Sequence, residues 1–335
     1  METKMYREEI WCLKGLAIIS VIYAHCSNRV SYNEIDMFLD NIRNNIGTIG
    51  VPLFLIISGF LFHNEQPAGE FWRKKRGIIA QWLIWGTLIW AYEVIRKGLG
   101  HANIMEWLAG IGTYLWFMHT IMLLWLIFFY IRNTRLQFVF LVLSIIYHIV
   151  TYDLMLKTAI NDNIIANDVM CHMPFFVFGL CLQNKTLQDI CKKIFLKRLK
   201  WLRGGCAIVC ILLALWVNGN KIAYGSPFFL LYIMGSGVCC LAISEYLVQY
   251  ESLKKALCWL GRYSYVIYLT HMPIAGIISN LFSRNKYLLY GVMLYPLIAV
   301  AASALGIFIL KTICGRFHVL TFLVGISDDR QQWRV

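Results

Sequence analysis

Ten apolar stretches separated by short polar segments organise this sequence, at about residues 10–26, 46–62, 78–95, 111–131, 137–151, 168–182, 202–217, 227–248, 259–282 and 287–313. A bilayer core of about 30 Å takes roughly 20 helical residues, somewhat fewer where polar groups face a bundle interior. Each stretch therefore reads as a transmembrane helix, the sixth and seventh being short. The first is no cleavable signal peptide, because nine more spans follow and no small-residue cleavage site ends it. There is no internal repeat, and loops of at most about twenty residues leave no room for a soluble domain. The expectation is an all-α polytopic bundle forming a single integral-membrane domain over residues 1–335.

Composition agrees and charge adds the orientation. Of 335 residues, 59% are hydrophobic and 15% charged, against about 45–50% and about 25% in soluble domains. Intrinsic disorder and a small disulfide scaffold are excluded. A net charge of +13 would suit a nucleic-acid binder only if the cations clustered. With the N-terminus in the cytoplasm, about twenty Lys and Arg fall in inner segments and about eight in outer ones, among them Arg29, Arg43, Arg96 and Lys97. Inner segments include the run Arg73 to Arg76, the cations from Lys185 to Arg203, and Arg316, Arg330 and Arg334. That bias puts both termini in the cytoplasm. The eleven cysteines lie mostly in or beside spans, without zinc-like or disulfide-framework spacing, and read as buried small hydrophobes.

Ionisable residues inside a span are costly, and each marks a functional candidate. In the first span Lys14 and His25 are eleven residues apart, nearly three whole turns, so both lie on one helical face about 16 Å apart along the axis. Lys14 sits near the cytoplasmic mouth and His25 deeper. Snorkelling of Lys14 and a boundary position for His25 are the plain alternatives. The second span carries Ser58-Gly59-Phe60, which small-residue helix packing alone would also explain. Arg73-Lys74-Lys75-Arg76 is either a topology signal with lipid contacts or a phosphate cradle, Arg offering a planar fork to phosphate oxygens. Tyr114, Trp116 and His119 open the fourth span, and His119 is expected to bring a second imidazole to the depth of His25. In the ninth span Ser264, Tyr268 and His271 fall at i, i+4 and i+7 and share a face, which interhelical hydrogen bonding would also produce. Glu93 and His172 are weaker candidates.

In order along the chain, these motifs resemble the acyltransferase-3 family of bacterial integral-membrane acyltransferases, and its stand-alone sugar O-acetyltransferase branch, which includes fucose O-acetylase-like proteins. The basic-x10-His signature corresponds to Lys14 and His25. The Phe-x-x-Ser-Gly-Phe element matches Phe54 to Phe60 with one extra residue, and Arg-x-x-Arg matches Arg73 and Arg76. Leu115-Trp116-Phe117 and the stretch Ser264 to His271 match two later elements. The basic residue of the first span, most often Arg in the family, is here Lys14, which keeps the charge without the bidentate fork.

The resemblance implies a bacterial cytoplasmic-membrane enzyme that moves an acetyl or other short acyl group from acyl-CoA to a hydroxyl of a cell-envelope carbohydrate. Its partners would be acetyl-CoA or another short acyl-CoA, the carbohydrate acceptor and membrane lipids, with no metal and no nucleic acid; a homo-oligomer stays open. Arg73, Lys75, Arg76 and Ser58 would hold the donor. His25 would act as general base, with Lys14 near the donor's path and Tyr268, Ser58 or His119 as oxyanion donors. An acyl-histidine or acyl-tyrosine relay through His271 or His119 also stays open, as does a transporter or exporter of a glycan intermediate. A transporter would release no CoA.

Overall fold

In hydrocarbon a backbone must satisfy its own hydrogen bonds, which leaves apolar stretches without strand partners a single solution, the helix. The computed structural model describes residues 2–26, 34–63, 65–98, 104, 107, 114–158, 168–184, 200–217, 226–282 and 288–314, and no strand occurs among them. The cations at 185–199 and 316–334, and Arg29, lie outside the described residues. The helices are α1 (Glu2–His25), α2 (Glu34–Thr48), α3 (Gly50–Phe60), α4 (Ala68–Lys97), α5 (Trp116–Tyr130) and α6 (Thr134–Thr158). They continue as α7 (Val169–Cys181), α8 (Lys200–Val217), α9 (Pro227–Leu247), α10 (Glu251–Arg262), α11 (Ser264–Phe282) and α12 (Leu288–Cys314).

Among the described residues, four helical segments are long and apolar enough to cross a membrane: Ala68–Arg96, Thr134–Thr151, Phe228–Leu247 and Leu294–Ile313. Their outer faces carry exposed large apolar side chains, for instance Leu88 on α4, Phe138 on α6 and Phe308 on α12. An apolar belt of this extent needs lipid rather than water as its solvent. The shorter apolar helices α5 and α7 belong to the interior, and α7 buries ten of its residues, His172 among them. At 15 residues, α5 is about 22 Å long, short of the about 30 Å hydrocarbon core.

Several elements differ from the sequence expectation, among them the expected 46–62 span, whose start belongs to α2 and whose remainder is the short α3. Residues 34–45 read as part of an outer loop, but they form most of α2, with apolar Phe38, Leu39, Ile42 and Ile46 at helical spacing and Arg43 bonded to Asp40 at i, i+3. Residues 259–282 read as one span, but the helix breaks at Tyr263, whose N–H folds back onto the Gly261 and Trp259 carbonyls. The segment before the break, α10, is amphipathic, with Glu251, Lys254, Lys255 and Arg262 on it. Such a helix lies along the interface. There the hydrogen bond from Lys254 holds the Glu251 carboxyl below its ordinary range, and Lys254 also reaches Glu8 of α1 at 3.6 Å.

Helix α1 occupies the centre, packed on α10, α2, α3 and α11. Glycines permit these approaches. A Cβ on Gly15 would meet the Leu257 carbonyl, and one on Gly261 would meet the Trp11 carbonyl, so α1 and α10 touch backbone to backbone. The α3–α7 contact is built the same way, Gly59 lying against the Phe176 carbonyl and Gly179 against that of Ile56. Between α1 and α10 the sulfurs of Cys12 and Cys258 stand 3.5 Å apart. Mild oxidation with copper phenanthroline in membranes is expected to join these two cysteines. Peptide mapping by mass spectrometry checks it, and linkage of Cys12 to another cysteine would contradict this register.

Candidate active site

The chain places the predicted polar residues at two depths. The outer layer begins at the C-terminal end of α1, where His25 is half-buried. Its ring centroid lies 5.0 Å from that of His271 on α11, with the rings tilted by 48°. His271 is buried, and its Nδ1 lies 2.6 Å from the Tyr268 carbonyl one turn back. A carbonyl only accepts, so Nδ1 carries the hydrogen and Nε2 keeps its lone pair. That Nε2 is buried and, among the described residues, without a hydrogen-bond partner. The pair therefore offers two imidazoles, one with a fixed tautomer and an open acceptor nitrogen.

Tyrosines hold this layer in place. Tyr114 stands edge-on to His271 at 5.5 Å and donates its hydroxyl hydrogen to the Leu269 carbonyl at 2.7 Å. Tyr268 returns the bond, donating to the Tyr114 carbonyl at 2.5 Å, with its ring 5.6 Å from that of His271. The reciprocal bonds lock the start of α5 to α11. The Tyr268 hydroxyl hydrogen is thus engaged by a backbone carbonyl and is not available to an oxyanion in this arrangement. Trp116 stacks on the buried His172 at 4.9 Å. His119 is half-buried one turn along α5. The imidazole beside His25 is His271, and no ring contact joins His119 to either among the described residues.

The inner layer is cationic. Lys14 is half-buried, its Nζ 4.9 Å from the Trp11 ring centre, and it lies within electrostatic reach of Lys75. The basic run that read as a loop is the first turns of α4, so helical periodicity divides it. Phe71 and Lys75 share the inward face, where Phe71 is buried and Lys75 Nζ sits 4.5 Å from the Trp125 ring centre. Arg73 and Arg76 point outward and are exposed. Lys74 is exposed too and pairs with Glu70 at 3.1 Å. Neither Lys14 nor Lys75 has a carboxylate partner among the described residues. Two part-buried ammonium groups within electrostatic reach of one another call for an anion, which neutralises charges that are costly to leave unpaired.

Ser58 belongs to this inner layer. Gly47 packs on Ala24, and Gly50 on Ala17 and Val21; α3 then descends about 12 Å from Gly50 to Ser58, away from His25 and to the level of Lys14. Ser58 is thus too far inward to serve the histidines as an oxyanion donor. Ser264, at the start of α11, lies about 10 Å inward of His271. The span of about 16 Å between Lys14 and His25 stands, since α1 is continuous through both.

Sequence reasoning missed Arg43. Counted among outer loop cations, its side chain is 3% exposed and clasps the end of α1, with Nη1 2.6 Å from the Tyr23 carbonyl. The signal was the Asp40–Arg43 spacing within an amphipathic segment. Gln183 was missed as well; its Nε2 caps α3 by donating to the Gly59, Phe60 and Phe62 carbonyls at 2.6–2.9 Å.

A family model described as an acyltransferase domain matches residues 7–312, a range that holds every residue of both layers. No curated protein and no solved structure matches the chain significantly.

Proposed function

The chain belongs to the acyltransferase-3 family, and from that membership we propose that this membrane acyltransferase moves an acetyl or other short acyl group from acyl-CoA to a carbohydrate hydroxyl. The observation that carries the proposal is the oriented histidine pair standing about 16 Å along the axis from a pair of lysines, Lys14 and Lys75, that have no carboxylate partner among the described residues. Acyl-CoA has that shape: an anionic nucleotide end, then an uncharged arm ending in the thioester. The inner layer, Lys14 and Lys75 with Ser58 at the depth of Lys14, receives the phosphates, Arg73 and Arg76 meet them at the rim, and the arm runs outward to the histidines. The acceptor is a cell-envelope carbohydrate at a bacterial cytoplasmic membrane, a reading supported by the likeness to the sugar O-acetyltransferase branch.

At the outer layer His25 takes the proton from the acceptor hydroxyl as its oxygen attacks the thioester carbonyl. Of the three oxyanion donors suggested by the sequence, His119 is the one whose side chain is not otherwise engaged or set at another depth, and it donates to the tetrahedral oxyanion. Collapse breaks the C–S bond, and the imidazolium returns the proton to the leaving thiolate. The products are the ester and free CoA, with no net change in protons. The Nε2 of His271, on the ring next to His25, can accept a hydrogen bond that steadies the His25 imidazolium without taking its proton.

Labelled acetyl-CoA with membranes containing the protein and a glycan acceptor tests this directly. Label should appear in ester linkage with stoichiometric CoA release; acceptor-dependent transport without CoA release would overturn the proposal. The two layers also rank the cations. An exposed ion pair contributes up to about 1 kcal/mol, whereas a hydrogen bond to a charged group away from water contributes about 1.5–3 kcal/mol. Lys75→Ala should therefore raise the apparent donor KM by about 10–100-fold, and Arg76→Ala by no more than about fivefold. Steady-state kinetics in acyl-CoA check it, and the reverse order would put the phosphates on the outer rim.

A further inference from the structure

We infer that Arg43 is a positioning residue for His25, a guanidinium brace that holds the end of α1 at the depth where the imidazole works. The inference rests on the proposed role of His25. An α-helix leaves its last carbonyls without intrahelical donors, and α1 ends at His25 itself. The Cys26 N–H satisfies the Ile22 carbonyl at 3.2 Å. The next two carbonyls, of Tyr23 and Ala24, take Arg43 Nη1 at 2.6 and 3.4 Å. The residue following them is His25.

The brace is itself held. Arg43 Nε and Nη2 each lie 2.8 Å from Asp40 Oδ1 on the same helix, so the fork is fixed on one side by a carboxylate and grips helix α1 with the other. A planar fork divides its donors in this way; an ammonium does not. Helix α2 is anchored independently of Arg43. Gly47 packs on the Ala24 backbone, Ser20 Oγ donates to the Gly47 carbonyl at 3.2 Å, and Tyr232 of α9 donates to the Asn45 carbonyl at 2.9 Å. With α2 held just past Arg43, at Asn45 and Gly47, losing the guanidinium loosens the last turn of α1 rather than the whole of α2. A buried cation at the C-terminal end of a helix also complements its dipole.

His25 meets His271 across two helices that Arg43 does not otherwise join, so small rotations of the last turn change the imidazole pair directly. A misplacement of about 1 Å can cost about 10²-fold in rate. Arg43→Ala should accordingly lower kcat by about 10²-fold, with the donor KM held within about twofold because the cationic layer lies a helix length away. Guanidinium ion at non-denaturing millimolar concentration should restore part of that rate, and ammonium ion should not. Arg43→Lys, which keeps the charge and loses the fork, should fall between wild type and Arg43→Ala, again with donor KM unchanged.

Rates are taken per mole of folded protein, and His25→Ala is assayed in parallel. If Arg43→Ala does not accumulate, Arg43→Lys decides alone. A reduced kcat at unchanged donor KM supports the brace, and a wild-type kcat overturns it. An inactive His25→Ala beside fully active Arg43 variants removes this inference and leaves the proposed function standing. A fully active His25→Ala removes the base assignment and the brace with it.

Discussion

Replacing His25 by alanine is expected to lower acyl transfer by about 10²–10⁴-fold, the usual contribution of a positioned general base. A carbohydrate hydroxyl is a weak nucleophile at neutral pH and gains its reactivity as its proton leaves. His25 meets the structural requirements for taking it: it ends a helix whose last turn is braced, and it stands 5.0 Å from a second imidazole with a fixed tautomer. Folding should survive the change, because the half-buried ring contributes little of the core around Ile18 and Ile22. Initial rates with labelled acetyl-CoA, beside detergent-solubilised yield and melting temperature, check both halves. His271→Ala separates the two rings. If His25 is the base and His271 its neighbour, His271→Ala leaves a measurable residue of activity above that of His25→Ala. Equal loss in both would make the pair one functional unit, and full activity of His25→Ala would move the base elsewhere.

The placement of several of these residues is legible in the sequence, for reasons that lie in periodicity. The eleven-residue separation of Lys14 and His25 needs only a continuous helix to become two depths on one face. The Ser264, Tyr268 and His271 stripe likewise needs only α11. Other features were hidden because they depend on main-chain partners from distant elements. Nothing in the identity of Tyr268 says that its hydroxyl will be spent on the Tyr114 carbonyl, or that Tyr114 will answer on Leu269. The basic run was a matter of context. Treated as a loop, its four cations are equivalent; treated as the start of α4, only Lys75 shares a face with buried Phe71. Arg43 was obscured because α2 looks like loop in an apolar chain, its polar positions outnumbering what a span allows. An amphipathic segment in a membrane protein deserves testing for helical spacing even where it is too polar to cross.

The largest stability effect is expected at the paired glycines. Membrane helices gain little from the hydrophobic effect against one another and associate through close packing, which small residues permit. At the α3–α7 contact Gly59 and Gly179 sit reciprocally against carbonyls of the opposite helix, and a Cβ on either would collide with backbone. Backbone has no alternative rotamer, so the helices themselves must separate. Gly59→Val should destabilise the protein by about 1–3 kcal/mol or more, the range of overpacking in a filled core, and Gly179→Val should do the same. Because both substitutions force the same separation, their effects should fall short of additive. Gly69→Val, at an open position on α4, is the control and should change stability by no more than about 0.5 kcal/mol in either direction, since valine is no worse a helix former than glycine. Melting in detergent gives the three single effects and the double. Wild-type melting of Gly59→Val would mean that α3 and α7 are not in backbone contact. That contact bears on function as well. Separating α3 from α7 moves Ser58 of the cationic layer on one helix and His172, stacked under Trp116, on the other. Residual activity at permissive temperature should therefore decline with a raised donor KM, in contrast to the kcat loss expected from the Arg43 variants.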